Sequence, residues 1–161
     1  MRYTLPFDDV STGAVADTYK TIAALIVANT AGHRCRVRKI SVGFSDNAPA
    51  DRNVGLRLQR IASLATAGTP GSTLSGANMP KKDTGSIDSL VTGARNYSVE
   101  PTTFETEPLW EMDINDRSGL VMEWGEEEAP RAIQNQYLCV RAAPRAAAAS
   151  ALSGTIEFEL Y

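Results

Sequence analysis

Histidine is almost absent from this sequence. His33 stands alone, so a two-histidine zinc cluster is excluded and a Ser-His-Asp arrangement would have to use that one residue. Its place in a turn beside Arg34 marks it as an ordinary loop residue. Cysteine is nearly as scarce: Cys35 and Cys139 form no Cys-x-x-Cys pair, which argues against thioredoxin-like exchange, and a chain of this size needs no staple. Two reduced, buried thiols are the expected state, with a disulfide left open if their strands are neighbours. No run of 18 apolar residues occurs, and no apolar stretch precedes Asp8-Asp9. Neither a membrane-spanning helix nor a secretory signal is therefore expected, and the chain reads as soluble and cytosolic. Without that signal, the Asn96-Tyr97-Ser98 sequon reads as accidental. An excess of positive charge is also missing. Sixteen basic and 19 acidic residues leave a net charge of −3, so there is no global field to gather nucleic acid. The GxxxxGK[ST], GxGxxG and GxSxG patterns are absent, which removes support for nucleotide binding and for a nucleophile elbow. No cofactor or metal is expected.

What is present is an ordinary soluble balance, 43% hydrophobic and 22% charged, in a chain long enough to bury roughly 68–70% of its unfolded surface in one core. Twelve glycines and 8 prolines, with many Ser, Thr and Asn, leave few stretches able to hold a three-turn amphipathic helix. Strands joined by loops are expected.

Residues 1–18 read as an N-terminal arm or edge segment, and 19–161 as a single β-sandwich domain. In the arm, Tyr3, Leu5 and Phe7 alternate and can pair along a neighbour's open sheet edge. Thr21 to Ala28 is a core strand by length and flanks, followed by a short reversal at Asn29 to His33. In Arg34 to Ser45 the apolar phase changes between Cys35/Val37 and Ile40/Val42/Phe44, which an extra residue near Arg38-Lys39 explains as a β-bulge. Arg36 and Arg38 then face solvent or a partner. Val54, Leu56 and Leu58 share one face of the next strand, with Arg57 outside. Residues 62–96 are rich in Gly, Ala, Ser and Thr, with scattered apolar residues that include Leu74 and Met79. They read as a long surface crossing available to a partner.

In the second half, Tyr97 to Pro101 resumes the strand rhythm. Pro108 to Ile114 and Leu120 to Trp124, separated by a turn at Asn115 to Gly119, read as a hairpin that places two tryptophans near a shared core. Asn135 to Ala143 points Leu138 and Val140 inward and leaves Cys139 exposed or between subunits. Ala146 to Ala149 is too short a run for a helix, and Gly154 to Tyr161 alternates Ile156, Phe158 and Leu160 against Glu157 and Glu159. Seven or eight strands without intervening helices predict an all-β, two-sheet antiparallel sandwich, a jelly roll or another Greek-key form, whose strand order these patterns do not reveal.

Carboxylates recur at two-residue spacing, Glu111 with Asp113 and Glu157 with Glu159. Glycosidases use such pairs about 5–9.5 Å apart, but any solvent-facing strand produces the same spacing, and catalysis is not expected. Glu126 to Glu128 lacks the spacing of an EF-hand loop and reads as a solvated acidic loop. Charge is segregated along the chain: seven basic residues against two acids from Arg34 to Arg60, then ten acids against Arg117 from Glu100 to Glu128. Such separation can orient docking or subunit pairing, or can simply mark outward strand faces.

An apolar first strand, RVRKISVGFSDNAPAD, VGLRLQR, the Gly/Ala/Thr-rich crossing, Tyr97 to Pro101, PLWEMDINDRSGLVMEW, NQYLCVRAA and GTIEFEL together span most of 20–161. In this pattern the chain resembles the jelly-roll head decoration, or cement, proteins of tailed bacteriophages. The resemblance implies a non-enzymatic homotrimer on the outer surface of an assembled capsid. Its partner would be the major capsid protein, with no direct nucleic-acid or membrane contact, and its role would be to reinforce subunit contacts. The candidate contact residues are Tyr3, Leu5, Phe7, Arg36, Arg38, Arg57, Leu74, Met79, Glu111 and Asp113. The alternative is a phage fibre or receptor-binding module that recognises carbohydrate or a host surface, which an exposed Trp110 or Trp124 in a polar groove would favour.

Overall fold

The computed structural model describes residues 2–27, 34–45, 51–62, 67–75, 78–83 and 91–161. His33 and the reversal at Asn29 to His33 lie outside them. Eleven strands run in the order β1 (Arg2–Ser11), β2 (Lys20–Val27), β3 (Arg34–Phe44), β4 (Asn53–Arg60), β5 (Thr69–Ser75), β6 (Val91–Val99), β7 (Trp110–Asn115), β8 (Leu120–Glu123), β9 (Arg131–Ile133), β10 (Tyr137–Pro144) and β11 (Ala151–Leu160). All pair antiparallel in two sheets, one ordered β1-β11-β3-β8 with β9 also on β3, the other β5-β6-β2-β10-β4-β7. Setting aside β5, β6 and the three-residue β9 leaves eight strands. Their orders are first-eighth-third-sixth in one sheet and second-seventh-fourth-fifth in the other, which is the paired Greek-key winding of a jelly roll.

Alternation explains which side chains meet between the sheets. Ile156, Phe158 and Leu160 of β11 face Leu5 and Tyr3 of β1 and Ile40, Val37 and Cys35 of β3 by direct register, and all are buried. The expected bulge sits at Arg38: Glu157 pairs with Lys39 and Phe158 with Val37, so Arg38 is skipped and both halves of β3 point inward. The Tyr3 and Phe158 rings stack at 5.5 Å, a pairing worth about 0.5–1.5 kcal/mol beyond area burial.

The arm reading of residues 1–18 needs correction. Residues 2–11 form the outermost strand of the five-stranded sheet, and Tyr3, Leu5 and Phe7 are fully buried in the chain's own core. The alternation that suggested pairing with a neighbour is the inward face of β1. Its free edge is in turn partly covered by residues 80–82, since Thr4 N–H donates to the Pro80 carbonyl at 2.9 Å and Lys82 N–H to that of Arg2 at 3.1 Å.

The 62–96 crossing is also more structured than expected. It carries β5 and most of β6, which pair with each other and extend the six-stranded sheet beyond β2. Met79 is buried in the core, so it is anchored rather than offered to a partner. The supposed hairpin around residues 115–119 is a crossover. Strand β7 pairs with β4 and β8 with β3, so the turn passes from one sheet to the other.

A second apolar layer lies on the outer face of the six-stranded sheet, where Ala24, Ala94, Tyr97 and Cys139 pack with Ile61 and half-buried Ile26, Phe104 and Tyr137. Cys139 is therefore neither exposed nor left for a subunit boundary. Cys35 is buried in the separate layer between the sheets, and both thiols are free.

Candidate interaction surface

The two sides of the sandwich are finished differently. On the β1/β2 side, β6 and β5 extend the six-stranded sheet, so that β5 is its edge there, and residues 80–82 partly cover the edge of β1. On the other side the sheets end on β7 and β8, whose only strand partners among the described residues are β4 and β3. Residues 116–119 join these two edges, and Trp110 meets Trp124 edge-on across them, with ring centroids 6.0 Å apart. Both tryptophans are half-buried against the core, together with Leu109 and Leu120. Outside them Met112 is 39% exposed and Val121 62%. Free strand edges of this kind accept further strands or side chains. Beside them a hollow of about 390 Å³ is lined by Val42, Phe44, Arg117, Leu120 and Val121 among others.

The outer surface of β4, β7 and β10 bears a charged lattice built around Tyr19. The Arg57 guanidinium carbon lies 3.9 Å from the Tyr19 ring centroid. Tyr19 Oη donates to Glu111 Oε1 at 2.8 Å and accepts from Arg145 Nη2 at 2.9 Å. Arg145 also pairs with Asp113 at 2.6 Å and Asp17 at 2.8 Å. Gly55 makes room for this stack, because a β-carbon there would lie 2.5 Å from Tyr19 Oη and 2.6 Å from Arg145 Cζ. Partial burial opposes ionisation of Glu111, but its contacts with Arg57 and Tyr19 and the charge of Arg145 outweigh this and hold its pKa below 4.5. Burial, then the hydrogen bond to Glu111, pushes the Tyr19 hydroxyl up. Arg141 stacks 3.7 Å over Phe104 and donates to Gln59 Oε1 at 3.0 Å and to the Tyr19 carbonyl at 2.9 Å.

The expected contact residues are thus divided. Arg57, Glu111 and Asp113 converge on the Tyr19 lattice, next to the open β7 edge. Arg36 is buried against Glu159 at 3.0 Å and Glu126 at 2.8 Å, which removes it from the free surface. Arg38 stands half-buried on the opposite sheet, Leu74 is half-buried against the core, and Tyr3, Leu5, Phe7 and Met79 are interior. Sequence reasoning missed Val121 and Arg145. Val121 could have been found, because it is an apolar residue on the outward phase of Leu120, Met122 and Trp124. Arg145 was hidden beside an alanine run. Among the described residues no group of three or more His, Cys, Asp or Glu is placed to hold a metal.

No family model matches the chain, and no curated protein matches it. Among solved structures it is similar to a chain of the structure of infectious bursal disease virus Gx strain, at 14% sequence identity and a TM-score of 0.22, over 99% of this chain and 42% of that one. The chain therefore spans less than half the length of that protein, and a likeness this slight bears on neither its fold nor its function.

Proposed function

We propose that this chain is a non-enzymatic head decoration protein that binds the exterior of an assembled phage shell and stabilises the contacts between capsid subunits. The observation that carries the reading is the asymmetry of the jelly roll. One side is widened by the chain's own insertion, which partly covers β1 and ends on the polar strand β5, while the other ends on two strand edges unpaired among the described residues and exposes the apolar side chains of Met112 and Val121. A stable protein interface takes about 800 Å² from each partner, and an apolar centre within a polar rim is the usual anatomy of such a patch. Binding that favours the assembled shell over its dissociated subunits stabilises the shell by mass action, with no chemical step. Attachment as homotrimers on the major capsid protein, as the family resemblance implies, belongs to the same proposal.

The test adds purified protein to empty shells of the phage that encodes it and measures their resistance to heat and to dilution. Wild-type protein is expected to raise the temperature at which shells come apart. Val121→Lys and Met112→Lys, both at exposed positions, are expected to fold normally and to lose that gain. Shells that gain nothing from wild-type protein overturn the stabilising role.

A fibre or receptor-binding role keeps one favourable observation, since Trp124 lines a polar hollow of the kind that can stack on a sugar. Saturable binding to a host glycan, abolished by Trp124→Ala in a folded variant, would favour that reading.

A further inference from the structure

The outer face of the five-stranded sheet holds a hollow of about 230 Å³ lined by Arg2, Arg38, Lys39, Lys82, Glu123, Trp124 and Glu157. Four cations there face two carboxylates. The carboxylates are already engaged, Glu123 by Lys39 at 2.7 Å and Glu157 by Lys82 at 2.6 Å, which leaves two guanidinium groups over. Arg2 is exposed and its side chain makes no ion pair among the described residues. Arg38 is the bulge residue of β3, so the pleat does not carry it into the ladder rows that pair Arg36 with Glu159 and Lys39 with Glu157. Its Nη1 is shielded from solvent without a hydrogen-bond partner among the described residues. Glu126, a further acid that feels the Arg38 charge, is bonded directly to Arg36. A shielded charged donor left unbonded is unfavourable, and an arriving oxyanion would accept from it in the fork geometry that guanidinium offers to carboxylates.

We propose that this hollow binds the side-chain carboxylates of an acidic segment of a partner protein, with the Arg38 and Arg2 guanidinium groups, which form no ion pair among the described residues, as donors and Trp124 as an apolar wall. The volume suits one or two acidic side chains, and the two resident ion pairs confine the free positive charge to a small spot. A nucleic-acid backbone, which needs a continuous basic track, would meet Glu123 and Glu157 on either side. The site lies on a different face from the Tyr19 lattice and is assayed without any shell, so its failure and that of the decoration reading are separable.

The test is a titration of isolated protein with acetyl-Glu-Glu-Glu-amide, followed by nuclear magnetic resonance at the Trp124 indole N–H and the Arg38 and Lys39 amides. These signals are expected to move saturably, and Arg38→Gln and Arg2→Gln are each expected to weaken binding about tenfold, the loss of one charge-assisted hydrogen bond. Arg117→Gln, at the turn between β7 and β8, is expected to leave binding unchanged. Should Arg38→Gln disturb the bulge, Arg2→Gln at the exposed strand start carries the test alone. The proposal is overturned by absence of saturable shifts, by equal weakening in Arg117→Gln, or by saturable binding of a single-stranded oligonucleotide or inorganic phosphate at these signals in place of the peptide.

Discussion

Arg57 Nε stands 2.9 Å from Glu111 Oε1 across the β4–β7 pair, an ion pair in which that N–H is not aimed as a hydrogen bond. Among the described residues it is one of five joining the basic segment from Arg34 to Arg60 to the acidic segment from Glu100 to Glu128. The others are Arg36–Glu126, Lys39–Glu123, Arg52–Asp116 and Arg60–Glu105. The charge segregation that suggested docking between molecules is in large part neutralised inside one molecule, where it helps hold β7 on β4 and β8 on β3. Partly exposed pairs of this sort contribute modestly one by one, so their role is chiefly to favour the correct neighbours.

The pairing makes stability depend on acid in a defined direction. Glu111 has its folded pKa below 4.5, and Glu123 and Glu126 are shifted the same way, by Lys39 and Arg36 respectively. Stabilisation from a lowered carboxylate is complete above its unfolded pKa and lost as pH falls through the folded value. Thermal unfolding followed from neutral pH downward is expected to show a Tm that falls below about pH 4.5. Glu111→Gln is expected to lower Tm at neutral pH, with the difference from wild type shrinking as acid is added. A difference that stays constant across the range contradicts the assignment.

Leu5 of β1 occupies the space over Gly93 of β6 that a β-carbon would need, and Leu5 is fully buried. Gly93→Ala is expected to cost about 1–3 kcal/mol by overpacking, and Leu5→Ala about 2–5 kcal/mol through the cavity it leaves. The double variant is expected to cost clearly less than the sum, because each change relieves the other. Simple additivity in denaturant unfolding would contradict the contact.

The same pair shows why β6 was hard to read. Alternation was legible wherever large apolar residues mark the inward phase, as in β11, β10 and β4, and the Arg38 bulge was legible because the phase visibly changes. Strand β6 is small where it faces Leu5, so its inward residue is a glycine and the period-2 signal disappears. Strand β1 was legible as an alternating pattern, but nothing local says whether its partner strand comes from the same chain, and β11 lies some 150 residues away. The turn at Asn115 to Gly119 has hairpin composition; only the register with β3 and β4 reveals that it changes sheets. Of the candidate site, Arg57, Glu111 and Asp113 were legible as outward charges, whereas the open side emerges only once the sheet order is known.

Both thiols are enclosed, Cys35 between the sheets and Cys139 beneath the outer layer, and burial pushes both thiol pKa values up. A disulfide-exchange reagent is expected to label neither in native protein at mildly alkaline pH and both after denaturation. Rapid native labelling of Cys139 would mean that the layer of Ile61, Tyr97 and Phe104 does not cover it.

Attachment through the β7/β8 side is tested most directly by image reconstruction of shells carrying this protein, at a resolution that orients the sandwich. Density is expected over the junctions between capsomers, with Met112, Val121 and the Trp110–Trp124 pair turned toward the shell and the β5–β6 side away from it. Density confined to the tail tip, or decorated shells in which the β7/β8 side faces solvent, would contradict it.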